Sequence, residues 1–213
     1  MSLGLENSLE YIDRSLKDVQ ERREKLIKGT RDIVMLSSKA IISLHRGQPE
    51  DAKAKMKDAK NTLQELRRYA QQDLYRYVAV AEQELVEAHA LLAVMENAQI
   101  PSMKDLDVIG ESYLTGLLDC VGEIKRLVYD RMRSGRALDA QKLFAVMEEI
   151  YAAVYPFAAY DHVVPGLRKK LDVARMLVED IRAVVTEESR RRTIIDAVDA
   201  LEKRFSTDRS PSP

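Results

Sequence analysis

The stretch ELVEAHALLAV, Glu84–Val94, decides the fold. Its apolar residues, Leu85, Val86, Ala88, Leu91, Leu92 and Val94, fall on every side of a helical turn. A helix of that kind is enclosed by other elements, and the composition around it makes those elements helices as well. Ala, Leu, Glu, Lys, Arg and Met fill most of the 213 residues, while Gly and Pro number only 8 and 6. The expected fold is all-α, an antiparallel bundle of six or seven long helices in one domain over residues 1–205. A Ser/Pro-rich tail at 206–213 is expected to be disordered.

Upstream of that stretch, Glu6 to Arg46 reads as one long helix. Leu26, Ile33 and Ala40 repeat at seven, as do Ile27, Val34 and Ile41, and Gly47-Gln48-Pro49 ends the run. A second helix is expected from about Glu50 to Asn97, with room for a break near Gln71–Asp73. Downstream, Pro101-Ser102 interrupts the chain and lets the flanking helices fold back as antiparallel neighbours. Further helices are expected over Asp105–Ser134, Ala137–Tyr155, Leu167–Thr186 and Glu188–Phe205, with an irregular connection between Pro156 and Pro165-Gly166.

The bulk numbers exclude several classes. A net charge of -1 rules out coating nucleic acid by overall charge, so any such binding needs a local basic patch. Cys120 is the only cysteine, which excludes an intramolecular disulfide and a Cys-rich zinc site. No apolar run reaches membrane-spanning length and no secretory leader is visible, so a cytoplasmic location is expected.

Glu84 and Glu87 share one helix face. Among 35 acidic residues, chance alone produces about six pairs at that spacing, and such charge ordinarily sits on a solvated face. Here the pair enters a helix that is apolar all round, where carboxylates must be paired, protonated or bound to metal. A second pair, Asp119 and Glu123, lies on a polar stripe of Ser112, Thr115, Gly116, Asp119, Gly122, Glu123 and Arg126, in a helix otherwise apolar. Gly116 and Gly122, about one turn either side of Asp119, fit either close helix packing or room for a ligand. An oxygen-only set suits a hard cation, Mg²⁺ or Mn²⁺. None of His45, His89 and His162 has an acid three residues before it, which argues against a di-iron site. His89 reads as a core or supporting histidine rather than a ligand. The lone Cys120 has no sequence partner for nucleophilic catalysis.

These segments resemble the translin family, and within it the translin-associated factor X branch. The likeness runs from about Arg23 to Val185. It is carried by REKLIKGTRDIVMLSSKAIISLHRG at Arg23–Gly47, QELVEA at Gln83–Ala88, YLTGLLDCVGEIKRL at Tyr113–Leu127 and LRKKLDVARMLVEDIRAVV at Leu167–Val185. The resemblance implies an all-α protein that self-assembles into a hollow shell, an octamer, and binds single-stranded or short duplex RNA and single-stranded DNA. It implies a Mg²⁺-dependent endoribonuclease in which Glu84, Glu87 and Asp119 are catalytic metal ligands and Glu123 completes the set. A compact version is expected, because the long insert between the two acidic helices of factor X is missing.

Such an enzyme needs cations and aromatic faces to hold RNA. Tyr75-Arg76-Tyr77 resembles a basic-aromatic stretch that binds nucleic acid in translin, though it also reads as an ordinary amphipathic turn. Arg126, Arg31 and Lys39 are further candidates, while Arg190-Arg191-Arg192 reads as a solvated face. Two other classes stay open at this point. One is a non-catalytic nucleic-acid-binding shell, and the other is a helical protein adaptor.

Overall fold

The structure, a computed structural model, describes residues 4–71 and 73–208, with side chains as far as Phe205. The elements are α1 (Glu6–His45), α2 (Pro49–Ala70), α3 (Arg76–Met95), the one-turn α4 (Met103–Leu106), α5 (Gly110–Arg133), α6 (Ala137–Val154), a 3₁₀ segment (Tyr155–Tyr160) and α7 (Leu167–Asp208). The all-α expectation holds: no strand occurs among the described residues. None of the helices is long and apolar enough to cross a membrane, again among the described residues.

The helix expected over 105–134 starts only at Gly110, because Asp107 (φ 54) ends the one-turn α4, and two other boundaries differ from the sequence reading. Helix 50–97 is two helices. Gln71 adopts φ 41, a left-handed turn that ends α2. The Arg22 guanidinium holds this corner with hydrogen bonds of 3.1 and 3.0 Å to Asp73 and one of 3.3 Å to the Tyr69 carbonyl. Conversely, the two late helices are one. Leu167 to Phe205 contains no Gly or Pro, so a polar run at Thr186–Glu188 does not stop α7, which continues to Asp208. Most of the tail expected at 206–213 lies outside the described residues.

A further difference concerns direction. α3 and α5 are parallel neighbours, not antiparallel ones. Ser112 donates to the Ala79 carbonyl at 3.1 Å, and Gln83 reaches Asp119 at 2.7 Å, so the two helices advance together. The reason is the connection 96–109. A tight turn at Pro101 would have reversed the chain. Instead Lys60 holds the Asp105 carbonyl at 2.9 Å, and the Ile109 amide binds Glu82 at 3.1 Å, so the segment returns along α3 before α5 begins. The return from Met95 to Glu82 is ~20 Å of helix, well within the reach of this much chain.

Two large apolar clusters result, besides a small one of Val86, Leu106 and Val108 that seats the 96–109 connection on α3. One joins Leu26, Ile33, Leu63, Leu66, Val78 and Leu85, from α1, α2 and the first half of α3. The other joins Leu44, Leu91, Ile124, Met147, Leu167 and Ile181, from the end of α1 and from α3, α5, α6 and α7. α3 passes through both, which explains why its sequence is apolar on every side. Each such Leu or Ile buried contributes roughly 1.5–3 kcal/mol. Both long helices outrun these cores. Leu9, Ile12 and Leu16 of α1, with Leu5 just before it, and Ile194, Val198, Leu201 and Phe205 of α7, form exposed apolar stripes.

Candidate metal centre and nucleic-acid interface

The contact of α3 with α5 is set by Gly116. A Cβ there would stand 2.5 Å from the Gln83 carbonyl oxygen and 2.7 Å from the Val86 Cβ, so only glycine allows this approach. Gly122 differs: its nearest neighbour to an added Cβ would be Leu177 Cδ1 at 3.9 Å. The two sequence explanations for these glycines therefore divide. Gly116 serves close packing, whereas a Cβ at Gly122 would meet only ordinary contact.

The close approach brings Glu84 and Glu87 of α3 towards Asp119 and Glu123 of α5. Burial, then Asp119, push the Glu84 carboxyl above its ordinary range. Glu87 is pushed to about 8, by burial first and then by Asp119, Glu84 and Glu123 together. Its carboxyl thus senses every other acid of the set. Asp119 has two compensating partners, the Gln83 amide at 2.7 Å and the Lys170 ammonium of α7. Glu123 has one, the His45 imidazole at the end of α1, with Nε2 at 2.5 Å from Oε2. That hydrogen bond is the main cause of the lowered Glu123 ionisation, and Arg126 adds to it through space. The His45 side chain is only 4% exposed, and its Nδ1 has no partner among the described residues.

The donor set fits a hard cation in kind: four carboxylates, two of them pushed towards the neutral form by burial first and then by the neighbouring acids, a penalty that a divalent ion would relieve. It is not gathered for one as placed. Among the described residues no three His, Cys, Asp or Glu side chains form a group that would hold a metal ion. Lys170 and Gln83 occupy Asp119, and His45 occupies Glu123. Binding an ion requires these side chains to turn.

Other acids and candidate groups fall elsewhere. Glu82, two residues from Glu84, is fully buried and has a purely structural set of partners: Arg67 at 2.7 Å, the Tyr75 hydroxyl at 2.7 Å and the Ile109 amide at 3.1 Å. Cys120 is fully buried and its thiol is pushed well up, by burial and the neighbouring acids, which disqualifies it as a nucleophile. His89 binds the Leu85 carbonyl at 2.9 Å, and burial lowers its ionisation, as suits a supporting histidine.

The proposed RNA contacts do not form one surface. Tyr75 is tied into the Glu82 network. Arg76 and Arg23 lie over the Tyr77 ring, at 5.2 and 5.5 Å from its centroid, and Arg23 also donates to the Tyr77 hydroxyl at 2.8 Å. Thr30 binds the Tyr77 carbonyl at 2.7 Å, which places the exposed Arg31 next to this patch. Lys39 is exposed farther along α1. Arg126 is separate, on α5 just past Glu123, in a cleft of about 610 Å³ lined by His45, Gly122, Lys125, Tyr129, Asp130 and Arg133. The sequence reading missed Gln83, His45 and Lys170, the last two because they come from helices distant in the chain.

The comparisons with known proteins agree with this architecture. The solved structure of AfC3PO superposes with a TM-score of 0.80 at 31% identity, covering 87% of this chain and 99% of that one. A complex of AfC3PO with duplex RNA gives the same TM-score at 30% identity, covering 87% and 98%. NeC3PO, at 22% identity and TM-score 0.74, shares the fold. A protein of Methanocaldococcus jannaschii is 31% identical over 176 residues, covering 81% of this chain and 79% of that protein. Residues 21–192, most of the chain, match the sequence pattern of the translin family, and the chain belongs to that family.

Proposed function

We propose that this protein is a Mg²⁺- or Mn²⁺-dependent endoribonuclease of the factor X type within its family. The observation that carries the reading is the Glu87 carboxyl, pushed to about 8 among three other acids beside a cleft bearing Arg126. That is an acidic centre compensated only in part, by Lys170, Gln83 and His45, next to a cationic surface, a combination suited to metal-assisted phosphodiester hydrolysis. The similarity to AfC3PO, solved with duplex RNA, supports RNA as the substrate class.

Glu84, Glu87, Asp119 and Glu123 would hold the cation. Once bound, the ion supplies an acidified water and offsets charge on the phosphoryl oxygens. The chain's own groups do the positioning. Gln83 and Lys170 hold Asp119, and His45 holds Glu123, until they turn aside for the ion. Gly122 lines the cleft without a side chain, and Arg126 faces the incoming phosphate. The exposed stripes on α1 and α7 support a homo-oligomer, for which an octameric shell is the family expectation. Single-stranded DNA as a second ligand and a cytoplasmic location belong to the same reading.

The test is cleavage of labelled RNA with Mg²⁺, with EDTA, and with Asp119→Asn. Cleavage that needs the ion and the carboxylate supports the reading; cleavage indifferent to both overturns it. A specific observation favours a second reading, a non-catalytic nucleic-acid-binding shell. The Lys170 ammonium already sits against Asp119, where a cation would otherwise be held. RNA binding without ion-dependent cleavage would select that alternative.

A further inference from the structure

Past Glu123, α5 continues as a different kind of surface. Arg126, Tyr129 and Arg133 follow at intervals of three and four residues, so they form one row on the face of α5 that carries Asp119 and Gly122. All three are exposed. Arg126 has no ion pair among the described residues. Arg133 is 81% exposed and pairs only with Asp130, one turn back. The Tyr129 ring is 42% exposed, and the Lys125 ammonium stands 5.9 Å from its centroid. Gly122 contributes no side chain to the floor of the cleft, and His45 closes its inner end.

We infer that this row is the path of a single RNA strand leaving the acidic centre, with Arg126 and Arg133 on phosphates and a base stacked on Tyr129. The inference rests on the nuclease reading above and specifies how its substrate is held. From Glu123 to Arg133 the helix rises ~15 Å. A stacked strand advances ~3.4 Å per nucleotide, so the row spans about four nucleotides. An exposed ring flanked by cations suits a strand whose bases are free to stack, and a continuous duplex hides those faces. The partner is therefore a single-stranded segment, either a free strand or the overhang of a duplex.

The experiment is fluorescence anisotropy with a labelled 12-nucleotide single strand and a blunt 12-base-pair duplex, in EDTA, on the intact protein. Tyr129→Ala is expected to weaken the single strand about tenfold and the duplex far less, while Tyr129→Phe stays near wild type. Arg126→Ala and Arg133→Ala are each expected to make the salt dependence shallower, by ~0.7 in the slope of log K against log salt. Asp130→Asn releases Arg133 and is expected to tighten binding severalfold. All these side chains are at the surface of α5, so thermal melts should match wild type. Tyr129→Ala and Arg133→Ala binding the single strand like wild type would overturn the path and leave the nuclease reading intact. Loss of strand binding in those variants, with a wild type that cleaves nothing, would keep the path and overturn the nuclease.

Discussion

His45 Nε2 lies 2.5 Å from Glu123 Oε2, across a sequence separation of 78 residues. The last residue of α1 thereby fixes a carboxylate in the middle of α5. Because this bond holds the Glu123 ionisation down, it stabilises the fold above the ordinary glutamate range, and the contribution disappears as pH falls through the lowered value. Thermal melts of wild type should lose stability below about pH 4.5 more steeply than those of His45→Ala. Equal slopes would show that the bond does not form in solution.

Glu87 has the opposite sign. Its ionisation is raised to about 8, so the folded state resists losing that proton and stability declines between the ordinary glutamate value and about pH 8. Glu87→Gln removes the penalty. Its melting temperature should exceed that of wild type by several degrees at pH 8–9, and the gap should close towards pH 5. Mn²⁺ added at pH 8 should raise the wild-type melting temperature and leave the variant nearly unchanged.

Lys170 competes with a cation for Asp119. Lys170→Ala should therefore tighten Mn²⁺ binding about tenfold, read by calorimetry. Asp119→Asn should weaken it by at least as much while retaining the helical circular dichroism signal. Unchanged Mn²⁺ affinity in both variants would remove Asp119 from the ligand set.

The two glycines of α5 should respond oppositely to alanine. Gly116→Ala forces a methyl to 2.5 Å from the Gln83 carbonyl, and overpacking of this kind costs about 1–3 kcal/mol. Gly122→Ala meets only ordinary contact at 3.9 Å and gains about 1 kcal/mol of helix propensity. Urea titrations should place the midpoints on either side of wild type.

What the sequence made legible was local. Helix content and the shared faces of Glu84 with Glu87 and of Asp119 with Glu123 follow from periodicity within one turn or two. What it hid was non-local. Lys170 is 51 residues from Asp119, and no spacing rule connects them. Glu82 and Glu84 look alike in a helical acidic run, yet one is locked by Arg67 and Tyr75 and the other faces the acidic centre. Only the partner side chains separate them. The parallel course of α3 and α5 was hidden for a related reason. A proline signals that a helix stops, not where the next one starts. The break at Gln71 was half visible in its polar neighbours, whereas a similar polar run at Thr186–Glu188 broke nothing, since neither Gly nor Pro accompanies it.

The returning segment 96–109 has a consequence for how this architecture tolerates change in length. It is anchored at its far end, where Asp105 meets Lys60, Asp107 meets Arg67, Ile109 meets Glu82, and Leu106 and Val108 pack on Val86, and those anchors set where α5 begins. Extra residues spliced in near Ala98 or Gln99 would loop out ahead of the anchors. Each doubling of such a loop costs only about 0.6 kcal/mol. The spacing of the two acidic helices is thus insulated from the length of chain between them, and evolution is free to hang new recognition elements there without disturbing the chemistry beneath.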